Sequence, residues 1–414
     1  MKGHNTNGGI VHSGLPRHTL PSEGEVMFEH GCGGMVTDAT GREYIDFVLG
    51  YGAVILGHNV AGFRQRLERY SENGMLLPGY TSWHVKLLQC LLHSKADNYS
   101  AAFFKTGSES VTAAVRLSSR LSSKKGVIRC GFIGWHDVQL GKSVRWHEPL
   151  ESPLRFEPRF VEGFRGIAGE EEAFNWVTLD LKELMAIIET SNHKIGCLVL
   201  DTYQLRFAGH ETLKEAVDIC RRNGIYVVAD ETKIAGRVSP LGFAADFGWD
   251  VDFIIVGKSL ANGAPLSILL GKPNLMAASE TSRITGTFSQ ELNAIFCALA
   301  TQEEIGRLNG YCSIRSIGSK VVSAFNAAVQ QLDLGGFIQA ESLFGGEMFD
   351  LRFCRKVICD WNCRQKLCSI LAECGVLLLQ GHPSYVCLEH GILDYDELRQ
   401  RFRRGLTEWK TTVT

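Results

Sequence analysis

From Ala101 onward, apolar runs of strand length alternate with segments of helical period, and this alternation constrains the fold more than any other feature of the chain. Ala101 to Phe104, Gly126 to Cys130, Ile195 to Leu200, Ile225 to Ala229 and Phe253 to Val256 read as buried strands. Between them, Glu109 to Leu121 places Val111, Ala114, Val115 and Leu121 on one helical face, and Leu213 to Arg222 is a further helical segment. Such a succession predicts an α/β fold: a large domain with a mostly parallel sheet flanked by helices.

The flanks differ. Residues 1 to 24 are rich in Gly, His, Ser and Pro and read as an arm, while Gly34 to Phe47 alternates as short strands around a turn at Ala39-Thr40-Gly41. After about Ala300 the pattern changes to helical stretches, a hairpin near Gly345-Gly346 and an amphipathic helix from Tyr395 to Trp409, which together read as a smaller α+β domain. The expected division is 1–50 for the arm and strands of the small domain, 51–305 for the large domain, and 306–414 for the C-terminal small domain.

Composition excludes several function classes. A chain of 414 residues with 45% hydrophobic and 21% charged residues can bury a sizeable core. The formal net charge of -2, without a run of like charges, gives no footing for a nucleic acid or a membrane surface, so a small metabolite is the expected partner. The apolar run around Val376 to Leu379 is far shorter than a membrane span. Thirteen cysteines behind a polar Met1 to Gly9 segment read as reduced thiols in the cytoplasm. The late cluster Cys354, Cys359, Cys363, Cys368 and Cys374 lacks zinc-site spacing, and no metal is expected there.

In open α/β sheets, ligands sit beyond the carboxyl ends of the strands, so the polar residues that follow the apolar runs are the candidate site. Thr106-Gly107-Ser108-Glu109 opens a helix; Gly lets the backbone approach an anion, and Ser can cap free N–H groups or bind a phosphate. Val227 to Glu231 ends a very apolar strand on Asp230, whose carboxylate needs a cation if it is buried. A protonated pyridine nitrogen is one such cation and Arg237 another, and the sequence leaves both open. Phe253 to Ser259 delivers Lys258 at a strand end, where partial desolvation would free its amine to condense with an aldehyde. Phe132, after the Gly126 to Cys130 strand, could stack on a planar cofactor or lie in the core. Lysine, acid and glycine-serine turn on successive strand ends together specify a site for a phosphorylated aromatic aldehyde. No G-x-G-x-x-G follows any of the strands, which disfavours a nicotinamide-binding domain.

These residues resemble the class III, fold type I aminotransferases that depend on pyridoxal 5′-phosphate (PLP), specifically the subgroup similar to glutamate-1-semialdehyde 2,1-aminomutase. The resemblance runs from about residue 30 to 305 and more faintly to the end. It is carried by Asp38-Ala39-Thr40-Gly41-Arg42-Glu43-Tyr44-Ile45-Asp46-Phe47, Leu56-Gly57-His58, Thr106-Gly107-Ser108-Glu109-Ser110, Asp230-Glu231 with Gly236-Arg237, and Gly257-Lys258-Ser259-Leu260-Ala261-Asn262-Gly263-Ala264-Pro265-Leu266-Ser267.

The resemblance implies that Lys258 carries PLP as a Schiff base and then moves the substrate proton. It implies further that Asp230 keeps the pyridine nitrogen protonated, that Gly107 and Ser108 hold the phosphate, and that Phe132 stacks on the ring. Thr287, in Gly286-Thr287-Phe288-Ser289, resembles a threonine that reaches the phosphate from the neighbouring subunit, which implies a homodimer. Departures stand at Phe132-Ile133-Gly134, where the family has Tyr-His-Gly, at Asp201-Thr202 in place of Glu-Pro, at Thr232, and at Glu291-Leu292 in place of Asn-Pro. They favour aminotransfer from an amino-acid donor to a small carbonyl metabolite over true aminomutase activity. An aminomutase or racemase and a catalytically inactive binding protein remain the alternatives.

Arg17 is a candidate for a substrate carboxylate, because a guanidinium makes a two-pronged contact with such a group, and a solvated arm residue is the other reading. His12, His18 and His58 read as surface or hydrogen-bonded histidines, and Arg237 as a structural partner of the Asp230-Glu231 strand end.

Overall fold

The computed structural model describes residues 26–93, 98–136, 144–157 and 173–413. Arg17, His12 and His18 therefore lie outside the described residues. Two compact units emerge, one of residues 26–51, 57–59 and 314–413, the other of residues 52–56 and 60–313.

The larger unit is organised by a seven-stranded sheet. Its strands lie in the spatial order Ser100–Phe104, Ser267–Gly271, Phe253–Gly257, Tyr226–Asp230, Ile195–Asp201, Gly126–Cys130 and Ala173–Asn175. Only Ser267–Gly271 runs against its neighbours; the pairings among the last five are parallel. Five of the seven strands follow the runs read from the sequence, shifted by at most one residue at an end. Ser267–Gly271 and the three-residue Ala173–Asn175 are additions.

Alternate residues of these strands enter two separate cores. Ile128, Leu198, Val227, Ile254 and Ile268 pack on one face. Val127, Val199, Val228, Ile255 and Leu269 pack on the other, against Val111, Ala114 and Leu117 of the Gly107–Ser122 helix. Burial on both faces is why the runs show no polar alternation. Truncating one such residue, for example Ile254→Ala, costs about 2–5 kcal/mol.

The smaller unit has a four-stranded sheet of Phe28–Cys32, Met35–Asp38, Glu43–Asp46 and Val376–Leu377, and a three-stranded sheet of Ile338–Leu343, Met348–Phe353 and Ser384–Tyr385. The expected hairpin is the Ile338–Leu343 and Met348–Phe353 pair, whose register closes at Leu343 opposite Met348. The last helix spans Tyr395–Val413. His58 bonds the Asp46 carboxylate at 2.9 Å. All thirteen cysteines are free thiols. Among the described residues, no helix is long and apolar enough to cross a membrane.

Candidate active site

Strand register gathers the predicted residues at one edge of the large sheet. Asp201 lies opposite Asp230, and Asp230 opposite Ile255. On the antiparallel side Gly257 faces Ser267, which faces Phe104. The carboxyl ends of five strands thus deliver Lys258, Asp230, Asp201, the Gly131-Phe132 turn and the Thr106–Ser108 turn to the same side, where an open α/β sheet binds its ligand.

Lys258 begins a short turn immediately after its strand and holds a left-handed φ of 50°. A lysine gains nothing locally from that conformation, which costs about 1–3 kcal/mol and is retained where the surroundings dictate it. Those surroundings are the Ala235-Gly236 turn: Ser259 donates to the Ala235 carbonyl at 2.9 Å, and a Cβ on Gly236 would stand 3.0 Å from the Ser259 hydroxyl. Four residues on, the Asn262 side chain accepts the Ile55 and Leu56 amides at 2.9 and 3.0 Å. The partly buried Lys258 amine has its pKa pushed down from 10.5 to about 8, first by desolvation and next by the Lys233 ammonium. It is a lysine prepared to act as a free amine.

Asp230 is almost fully buried, and its Oδ1 accepts the Thr232 amide at 3.1 Å. Burial raises its pKa, the Lys233 ammonium opposes that rise, and Asp201 adds to it. Such a carboxylate is stabilised as an anion by a further cation brought against it. Glu231 points into the core instead, bonding the Thr202 hydroxyl at 2.6 Å and the Ala244 amide at 2.7 Å, and burial pushes its pKa up to about 8. Arg237 donates to the carbonyls of Gly52 and Val54 at 3.2 and 2.9 Å, so the structure gives it main-chain partners.

Thr106 caps the Gly107–Ser122 helix, with the Thr106 and Glu109 side chains bonding each other's amides in a capping box. The cap leaves the positive end of a 16-residue helix at the sheet edge, a place suited to an anion. Gly107 cannot be exchanged there without a shift, since a Cβ would lie 2.9 Å from Thr232 Cγ2. The Ser108 hydroxyl accepts the Trp135 amide at 3.2 Å.

Phe132 exposes 40% of its surface, and its ring lies 6.3 Å from that of His147, which in turn packs on Tyr203. Around its main chain the structure shows what the sequence reading missed: a buried ion pair between Lys233 and Asp201 at 2.6 Å. Thr287 is exposed, in a turn closed by the Ser289 amide donating to the Gly286 carbonyl at 3.0 Å.

A desolvated lysine, a buried acid that needs a cation, a helix start and an open aromatic face match the four parts of a phosphorylated pyridine aldehyde. The model for the family Aminotransferase class-III matches residues 20–390. This chain belongs to the class-III aminotransferases.

Pyridoxal 5′-phosphate is the cofactor of this family and of this chain. The 2'-deamino-2'-hydroxyneamine transaminase of Streptomyces kanamyceticus is 26% identical over 381 residues, covering 92% of this chain and 90% of that protein. The glutamate-1-semialdehyde 2,1-aminomutase of Thermoplasma volcanium is 23% identical over 399 residues, with 92% of each chain covered. Among solved structures, an omega-transaminase from Sphaerobacter thermophilus superimposes with a TM-score of 0.81 at 17% identity, covering 96% of this chain and 94% of that one. The likeness in structure establishes the expected fold type I architecture.

Proposed function

We propose that this class-III aminotransferase moves an amino group from an amino-acid donor to the carbonyl of a small metabolite, with Lys258 as the residue that holds PLP covalently. The observation that carries this reading is the Lys258 amine, desolvated to a pKa of about 8 at a strand end beside the buried Asp230.

When bound, the cofactor supplies an electron sink for the carbon that loses its proton and a carbon that carries the amino group between the two half-reactions. Lys258 Nζ is the amine that would hold the aldehyde, and as a free amine it would take the substrate proton and return it elsewhere. Asp230 holds a proton on the pyridine nitrogen, and the two opposite charges offset the cost of burying either. Gly107 and Ser108 bind the phosphate at the helix start, and Phe132 offers its open face to the ring.

The remaining assignments belong to the same proposal. Thr287 reaches the phosphate of a neighbouring copy in a homodimer; its exposure, with that of Phe288, Met75 and Tyr80, supports a surface that a second chain covers. Arg17 is the candidate for a substrate carboxylate. The aminomutase-like subgroup and a cytoplasmic location complete the reading.

A nitrogen-15-labelled donor panel tests it. Label transferred to a separate carbonyl acceptor supports aminotransfer. Label returned to a rearranged or inverted donor means an aminomutase or racemase, and no consumption of any donor by PLP-loaded protein means a binding protein.

A further inference from the structure

A buried ion pair at this edge holds the main chain of a candidate site residue. Asp201 Oδ2 accepts from Lys233 Nζ at 2.6 Å and from the Phe132 amide at 3.1 Å, while Lys233 Nζ also donates to the Phe132 carbonyl at 3.0 Å. The two side chains thus grip both polar groups of a single residue's main chain. Their exposures are 2% for Lys233 and 1% for Asp201, so water does not compete. The same ammonium stands 5.5 Å from the centroid of the Phe132 ring. The second Asp201 oxygen accepts the Tyr203 amide at 3.2 Å and fixes the turn after its own strand.

The backbone is shaped to admit this grip. Gly131 has a φ of +92°, and a Cβ there would lie 2.3 Å from Asp201 Cβ. Only glycine lets the strand approach closely enough for Asp201 to reach the Phe132 amide. A buried ion pair adds little stability over an apolar pair of equal volume, so stability alone does not explain a pair placed here.

Resting on the assignment of Phe132 to the cofactor ring, we propose that Asp201 and Lys233 are positioning residues. They clamp the Phe132 main chain so that its ring holds PLP in one orientation toward Lys258 and Asp230. The Lys233 charge has a second effect in the same place, because it offsets the rise that burial causes in the Asp230 pKa and helps keep Lys258 deprotonated.

The test uses PLP-loaded wild type, Lys258→Ala and the double variant Asp201→Asn/Lys233→Met. The double variant leaves neither member of the ion pair behind as a lone buried charge, and its melting temperature shows that it folds; Lys233→Met alone is the more severe companion. Two quantities are read: visible circular dichroism per bound cofactor, which reports a ring held in one asymmetric orientation, and the rate of cofactor release on gel filtration. In the double variant the dichroism falls to half or less of the wild-type value and release accelerates about 10-fold, the scale expected when a supporting contact to a site is lost. Wild-type dichroism and release in a folded double variant overturn the clamp while leaving the Lys258 reading intact. Wild-type protein without a visible band that depends on Lys258 overturns both.

Discussion

The lowered pKa of Lys258 has a kinetic consequence that can be measured directly. A drop from 10.5 to about 8 is 2.5 units, so at pH 7 the fraction of free amine rises from roughly 1 in 3,000 to about 1 in 10, close to 300-fold. Capture of PLP by cofactor-depleted protein needs that free amine, so its rate should climb tenfold per pH unit below pH 8 and level off above it. Stopped-flow absorbance between pH 6 and 10 follows the capture, with Lys258→Ala as the blank. The Lys233 ammonium is the second cause of the shift, and its removal also leaves the Asp201 carboxylate unpaired nearby. Lys233→Met should therefore move the inflection upward. A wild-type rate that keeps climbing through pH 10, as an ordinary solvated lysine would give, refutes the desolvated amine.

Other consequences follow from the same edge of the sheet. Asp230→Asn removes the partner that keeps the ring nitrogen protonated, and kcat for aminotransfer should fall roughly 10²–10⁴-fold while the protein still takes up PLP; steady-state kinetics against wild type decides this. Glu231 is buried with its pKa raised from 4.5 to about 8, so the folded state binds its proton more tightly than the unfolded one. Its contribution to stability is fully present below pH 4.5 and is lost as pH rises through 8. Melting at pH 6 and pH 8.5 should show Glu231→Gln gaining on wild type at the higher pH. Gly131→Ala meets both a positive φ and the Asp201 side chain, and should cost at least about 1–3 kcal/mol in denaturant unfolding along with PLP retention.

Most of the large sheet was legible because its strands are buried on both faces and their runs end sharply at Asp230, Gly257 and the Thr106 cap. Of Ser267–Gly271 only Ser267 entered the sequence reading, as the end of the lysine segment. Its role as the one reversed strand comes from pairing with Phe104 and Gly257 on either side, which no local pattern encodes. Ala173–Asn175 is too short to carry a period.

The candidate site shows the same division. Lys258, Asp230 and Gly107 stand where apolar runs stop, and such stops are visible in one dimension. The Asp201–Lys233 grip on Phe132 joins residues 32 and 69 positions apart through parallel register, and Asp201 appeared in the sequence only as a departure from a family pattern. Two of the Arg237 hydrogen bonds go to the Gly52 and Val54 carbonyls, more than 180 residues away in sequence, and no local pattern encodes them.

Lys258, among all the lysines of the chain, is the one proposed to carry the cofactor. Lys233 is the other buried lysine at this edge, and its Nζ is committed to Asp201 and the Phe132 carbonyl. Borohydride reduction of PLP-loaded protein, followed by digestion and mass spectrometry, locates the cofactor on one peptide. The added mass is expected on Lys258 alone; added mass on Lys233, or on neither residue, overturns the assignment.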